Sequence, residues 1–165
     1  MSTENIAKIA AQEQKLIFQS FDENIAFALG SAIRAAAEKG GLSIVVDVRL
    51  WDRPLFYTAM AGTTADNVEW VRRKIGMTRR FQKASYRLAL EYRGAGKVLS
   101  TDIGLDPADY CLAGGSIPIR LAGVGAIGAI TVSGVPEYID HALVAEAMAA
   151  HIGVDIGERV VPPSA

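Results

Sequence analysis

Residues 42–50, LSIVVDVRL, place Leu42, Ile44, Val46, Val48 and Leu50 on one side of an extended chain and Ser43, Val45, Asp47 and Arg49 on the other. Side chains alternate faces in a β-strand, so the stretch predicts a strand with one strongly apolar face. WDRP then turns the chain, and the aromatic-rich LFYTAMAG (55–62) supplies the returning strand. A second pair, DYCLAGGSIPIRL (109–121) and GVGAIGAITVSG (123–134), meets at Ala122-Gly123. Strands joined by such short turns pair antiparallel. Pro118 suits an edge or a bulge in the second pair. Hairpins separated by helical sequence predict an α+β fold, with a central antiparallel sheet of about five strands flanked by helices. The fifth, short strand is expected within 97–103.

The helical segments follow from spacing. Residues 5–16 form a short helix with Ile6 and Ile9 on one face and Gln12, Glu13 and Lys15 toward water. In SFDE, Ser20 and Glu23 fit a capping box, with Asp22 as the competing cap. Ile25, Leu29, Ile33 and Ala36/Ala37 recur at helical spacing until Gly40-Gly41 ends the run. Asp66 and Glu69 offer a second capping box. The helix after it is expected to run to about Tyr92, with Trp70, Met77, Phe81, Ala84, Leu88 and Tyr92 as one apolar stripe. Residues 97–109 read as a connection broken by Pro107, and EYIDHALVAEAMAAHIG as a final helix behind Pro136. At 165 residues the chain reads as one domain, 1–165, with 154–165 as a loose tail.

The charge is unevenly placed. The net charge is −1, yet six of the twelve residues from Arg72 to Lys83 are Arg or Lys. The near-neutral total argues against a general nucleic-acid binder. Arg72, Arg79, Lys83 and Arg87 form a stripe with few local partners, because Arg79–Lys83 and Lys83–Arg87 are like-charge pairs one turn apart. Three readings stay open: a solvated face, a contact with acids of the fold or of another subunit, or a site for an anion. Trp70 reads first as core and second as a ligand-stacking aromatic.

Other motifs exclude more than they assign. GVGAIG matches G-x-G-x-x-G at Gly123, Gly125 and Gly128, but it sits inside a strand and is followed by Ile130, Thr131 and Val132. A dinucleotide loop would instead open a helix. These glycines, with Gly114, Gly115 and Gly134, suggest close backbone approaches. AGGS (113–116) lacks the G-K-[ST] of a phosphate loop. His141 and His151 lie ten residues apart on one helix, roughly 15 Å along its axis, so they do not share a metal within the chain. His141, beside Asp140, is expected at the surface, and His151 near the helix C-terminus. Cys111, the single cysteine, reads as a small buried hydrophobe and suits a reducing compartment. Ser116 and Ser133 have no placed His–Asp pair, and Asp102, Asp106 and Asp109 read as a solvated loop. No metal site is expected. No apolar run approaches the roughly 20 residues of a membrane span, and the start lacks the basic-then-apolar order of a secretory signal. A cytoplasmic location with no membrane partner is the expectation.

AGGSIPIR…GVGAIGAITVSG resembles the Gly-rich signature of the GlcG-like, heme-binding or "heme-degrading" domain family. DNVEWVRRK…RFQKASY resembles a poorly characterised branch of it, and the resemblance spans about residues 15–153. It implies a profilin-like or PAS-like sandwich, a homo-oligomer, and heme or another tetrapyrrole as the candidate cofactor. Heme-degrading activity enters through the resemblance alone; the residues present no acid–base pair. The expected site lies between the sheet and the 66–93 helix, with Trp70, Arg72, Arg73, Arg79 and Lys83 toward an anionic ligand and Gly114 and Gly115 giving it room. Candidate iron ligands are His141, Met60, Met77, Cys111, Tyr57 and Tyr110. The expected function is non-catalytic ligand binding. The alternative is an assembly or adaptor protein that uses its basic helix for subunit or client contacts and takes no small ligand.

Overall fold

The computed structural model describes residues 2–162. The chain runs α1 (Ser2–Lys15), β1 (Ile17–Phe18), α2 (Glu23–Lys39), β2 (Val45–Leu50), β3 (Arg53–Ala59), α3 (Ala65–Phe81), α4 (Ser85–Gly94), a 3₁₀ turn at Thr101–Ile103, β4 (Ser116–Leu121), β5 (Gly125–Ser133) and α5 (Glu137–Ile152). The sheet order is β1-β4-β5-β2-β3, antiparallel except for β1, which pairs parallel with β4 through Ile17–Arg120 and Phe18–Leu121. The α+β expectation and both hairpins hold. The fifth strand is β1, not a segment of 97–103, where Thr101–Ile103 forms the 3₁₀ turn. Because β1 reaches only Arg120 and Leu121, β4 has an open edge at Pro118, as a residue without an N–H requires.

The two faces of the sheet differ in chemistry. Ile44, Val46, Val48, Ile117, Ile119, Ile130 and Val132 pack with Leu29 and Ile33 of α2 and Val144 and Met148 of α5 in one buried cluster. The residues that alternate with them, among them Asp47, Ser116, Thr131 and Ser133, are buried as well, because α3 lies over that side. Thr131 Oγ1 bonds Ser116 Oγ at 2.9 Å, and Thr78 Oγ1 of α3 reaches the Ser116 carbonyl at 3.4 Å. The fold is thus an apolar layer and a hydrogen-bonded layer sharing one sheet.

The caps and the long helix need correction. Asp22, not Ser20, caps α2 by accepting from Ile25 N at 2.8 Å. Thr64 with Asn67, not Asp66 with Glu69, makes the capping box of α3. The helix expected to run to Tyr92 breaks at Gln82, which adopts φ 52°, and restarts as α4. Gln82 carries no glycine or proline signal, so local propensity gives no warning. The break lets Met77 and Leu88 close with Leu105 on a small second core that Phe81, Tyr92 and Leu99 flank. Trp70 is not part of it.

Gln12 and Glu13 do not face water; both are buried. Glu13 accepts from Ala84 N at 2.7 Å and from Arg87 at 3.0 Å, satisfying an orphan amide at the start of α4. Gln12 meets His141 Nε2 at 3.0 Å. The stretch expected as a loose tail is held as far as it is described. Val160 is buried, Asp155 O accepts from Lys15, and Val161 O accepts from Asn5. Residues 163–165 lie outside the described residues.

Candidate functional site

The basic helix is a comb that holds a loop. Residues 104–114 have no sheet ladder, so their carbonyls need other donors. Arg72 donates to Ala108 O at 2.6 Å and to Asp109 at 2.9 Å. Arg73 reaches Pro107 O at 3.5 Å and stacks on Trp70. Arg80 donates to Gly104 O and to Ile103 O at 3.0 Å. Arg93, from α4, donates to Leu112 O at 2.7 Å and pairs with Glu137. Gly76 completes the seat, since a Cβ there would stand 2.7 Å from Asp109 O. Arg80→Ala is expected to raise amide exchange across 101–110 about tenfold while leaving β2–β5 unchanged, measured by hydrogen exchange. Uniform protection in the variant would show that the loop holds without the comb.

Arg79 is the exception on this helix. It makes no hydrogen bond or ion pair to a described residue, and its guanidinium stands over the Trp51 ring, 6.0 Å from the centroid. It lines an open groove of about 640 Å³ with Arg72, Ile75, Gly76, Arg80, Tyr110 and Asp109, whose carboxylate is paired with Arg72. That volume lies within the roughly 300–1,000 Å³ of small-molecule sites.

The other expected site residues scatter. Trp70 lines a separate recess of about 270 Å³ with Lys74 and Asp140, and its Nε1 donates to Asp66 at 3.1 Å. Lys83 lies in neither hollow and pairs with Glu91 at 3.3 Å. A Cβ on Gly114 would stand 2.8 Å from Tyr86 Cβ and from Glu137 O, so this glycine serves packing.

Gly115 has a sharper role. A Cβ there would stand 2.9 Å from Lys74 Nζ and from Asp140 Cβ. Its missing side chain is the opening through which Lys74 crosses from α3 to α5. Lys74 Nζ donates to Val132 O at 3.0 Å and to Asp140 at 2.8 Å, and both side chains are almost wholly buried. Sequence reasoning missed this pair, because a lysine inside RRK looks like one more solvated cation.

Of the side chains able to bind heme iron, several are sealed. His141 is buried rather than at the surface, and burial lowers its pKa to about 4. Its Nδ1 has no partner among the described residues. Met77 is buried, and so is Cys111, whose thiol burial pushes up. Cys111 lies in the loop before β4 rather than in a strand. Tyr110 borders the Arg79 groove. Among the described residues, no group of three or more His, Cys, Asp or Glu is placed to hold a metal ion, and no helix is long and apolar enough to cross a membrane.

The fold and its groove define a single-sheet α+β protein in which one helix both seals a polar sheet face and carries a cation-rimmed hollow. Comparison with known proteins narrows this class: the chain belongs to the family described as "Haem degrading protein HbpS-like", whose model matches residues 21–149. A UPF0303 protein of Mesorhizobium japonicum is 50% identical over 152 residues, 92% of this chain and 91% of the relative. The crystal structure of Ybr137w protein superimposes with a TM-score of 0.82 at 23% identity, covering 90% of this chain and 88% of that one. The PduOC:heme complex gives 0.68 at 17% identity, covering 79% and 94%. These two structural likenesses establish the fold.

Proposed function

We propose that this protein is a non-catalytic tetrapyrrole binder, heme being the first candidate, and that the Tyr110 groove receives the ligand. The observation that carries the proposal is Arg79, the cation of α3 without a hydrogen bond or ion pair to any described residue, standing at that groove. The residues fit the group: Ile75, Gly76 and Tyr110 line the groove, Arg79 suits an acid group, and the Tyr110 phenol suits its metal. A bound heme would supply a redox-active iron. Membership of the family and the likeness to a protein crystallised with heme support this choice of ligand.

The same proposal has the protein working in the cytoplasm as a homo-oligomer. The oligomer is supported by the free edge of β3 beside the Phe27–Phe56 pair, with Phe27 64% exposed. The adaptor reading loses its main support, since Arg72, Arg73, Arg80, Arg87 and Arg93 are engaged within their own chain.

Hemin titration followed by absorbance and native mass spectrometry tests both parts. Stoichiometric uptake is expected, weakened about tenfold by Arg79→Glu and spectrally altered by Tyr110→Phe. A protein that stays colourless in excess hemin would remove the tetrapyrrole reading, and a monomer mass would remove the oligomer.

A further inference from the structure

Beside the Tyr110 groove, across the ridge made by Arg72 and Ile75, lies a second hollow of about 310 Å³ between α3 and the β2–β3 hairpin. Its lining includes Asp47 and Arg49 of β2, Tyr57 of β3, and Val68 and Val71 of α3. Asp47 is 1% exposed. Arg49 Nε donates to Asp47 Oδ1 at 2.7 Å and Nη2 to Oδ2 at 2.6 Å. The two bonds fix the guanidinium plane. Nη1 makes no hydrogen bond to any described residue, and the Arg49 side chain remains 28% exposed at the hollow.

The pair has no evident structural duty. Asp47 and Arg49 are two residues apart on one strand, so their bridge ties no two elements together. Sinking a carboxylate under α3 nevertheless costs desolvation, which a pairing of this kind offsets only in part. A buried acid that orients an arginine whose outer edge is free is the arrangement by which proteins present a fork to a carboxylate. The walls add specificity. Val68, Val71 and Ile75 are aliphatic, and Tyr57 lies directly across from Asp47 in the β2–β3 register.

We propose that this hollow binds a small monocarboxylic acid with an apolar body. The acid group takes the free edge of Arg49, and the body lies on Tyr57, Val68 and Val71. The volume sits at the small end of ligand sites, which suits a short-chain or single-ring acid and excludes a tetrapyrrole. The proposal is independent of the heme reading.

The test uses hexanoate and benzoate as probes, with benzyl alcohol and hexylamine as controls, followed by protein-observed NMR. Saturable shifts confined to Tyr57, Val68, Val71 and the Arg49 side chain are expected with the acids. The alcohol and the amine should bind at least tenfold more weakly. Arg49→Gln should weaken the acids about tenfold and leave hemin uptake unchanged, which separates this site from the neighbouring groove. Val71→Phe fills the hollow without touching Arg49 and should abolish the shifts. The proposal is overturned by shifts that do not saturate by about 10 mM, by equal binding of the alcohol, or by acid binding that survives either substitution.

Discussion

Replacing Lys74 with Met is expected to cost the fold about 3–5 kcal/mol, because it leaves the Asp140 carboxylate buried without its counter-charge. For a chain of this size that is a fall of roughly 10 °C in Tm. The loss comes from stranding Asp140 rather than from the worth of the pair, and a second substitution separates the two. In Lys74→Met/Asp140→Asn the neutral amide still accepts from Val135 N, as Asp140 does at 3.3 Å, and carries no charge to strand. Most of the stability should return. A denaturant double-mutant cycle measures this. If the double variant is as unstable as Lys74→Met, the damage lies in packing around Gly115 and not in the stranded charge.

Asp140 and its neighbour His141 should also hide each other's pH dependence. Burial lowers His141 to about 4 from an ordinary value of 6.5. It raises Asp140 from 3.8 to about 6, against the pull of Lys74. Between about pH 4 and 6 the unfolded histidine holds a proton that the native one lacks, so this residue makes stability rise with pH by about 1.4 kcal/mol per unit. Over the same interval native Asp140 holds a proton that the unfolded one lacks, and stability falls with pH by a similar amount. The two slopes cancel, and the wild-type profile should be nearly flat there. His141→Phe removes the first slope. Its stability should then fall by about 2–3 kcal/mol as pH rises through the interval. The slope is the readout, since the substitution also changes packing against Tyr86. Urea unfolding across the interval decides the matter. A wild-type slope near one proton, or a flat profile in the variant, would contradict the opposed titrations.

What could be read in the sequence was whatever leaves a periodic trace. The alternation of 42–50 gave β2, the leucine and isoleucine spacing gave α2, and Pro136 followed by an apolar run gave α5. The polar half of the interior left none. Gln12, Glu13, Lys74 and His141 are buried because each meets a partner 66 or more residues away. No local pattern encodes such a pairing. β1 escaped for another reason: two residues cannot show a period of two. Among the expected site residues, the RRK run did mark a distinctive face of α3, but its arginines turn mostly toward a loop with no ladder of its own. Arg49 was legible as a polar position on a strand. That its fork is held from beneath by a buried Asp47 needed coordinates.

The parallel pairing of β1 with β4 bears on how the molecule is made. Phe18 leaves the ribosome well ahead of its partner Leu121, which emerges about 100 residues later. At roughly 5–20 residues per second this is a wait of about 5–20 s. Throughout it Ile9, Leu16 and Phe18, all buried in the finished protein, lack the β4, β5 and α5 members of their cluster. The α1–β1 segment therefore stands to gain from a chaperone during translation, since the apolar residues it buries in the finished fold wait longest for their β4 cover.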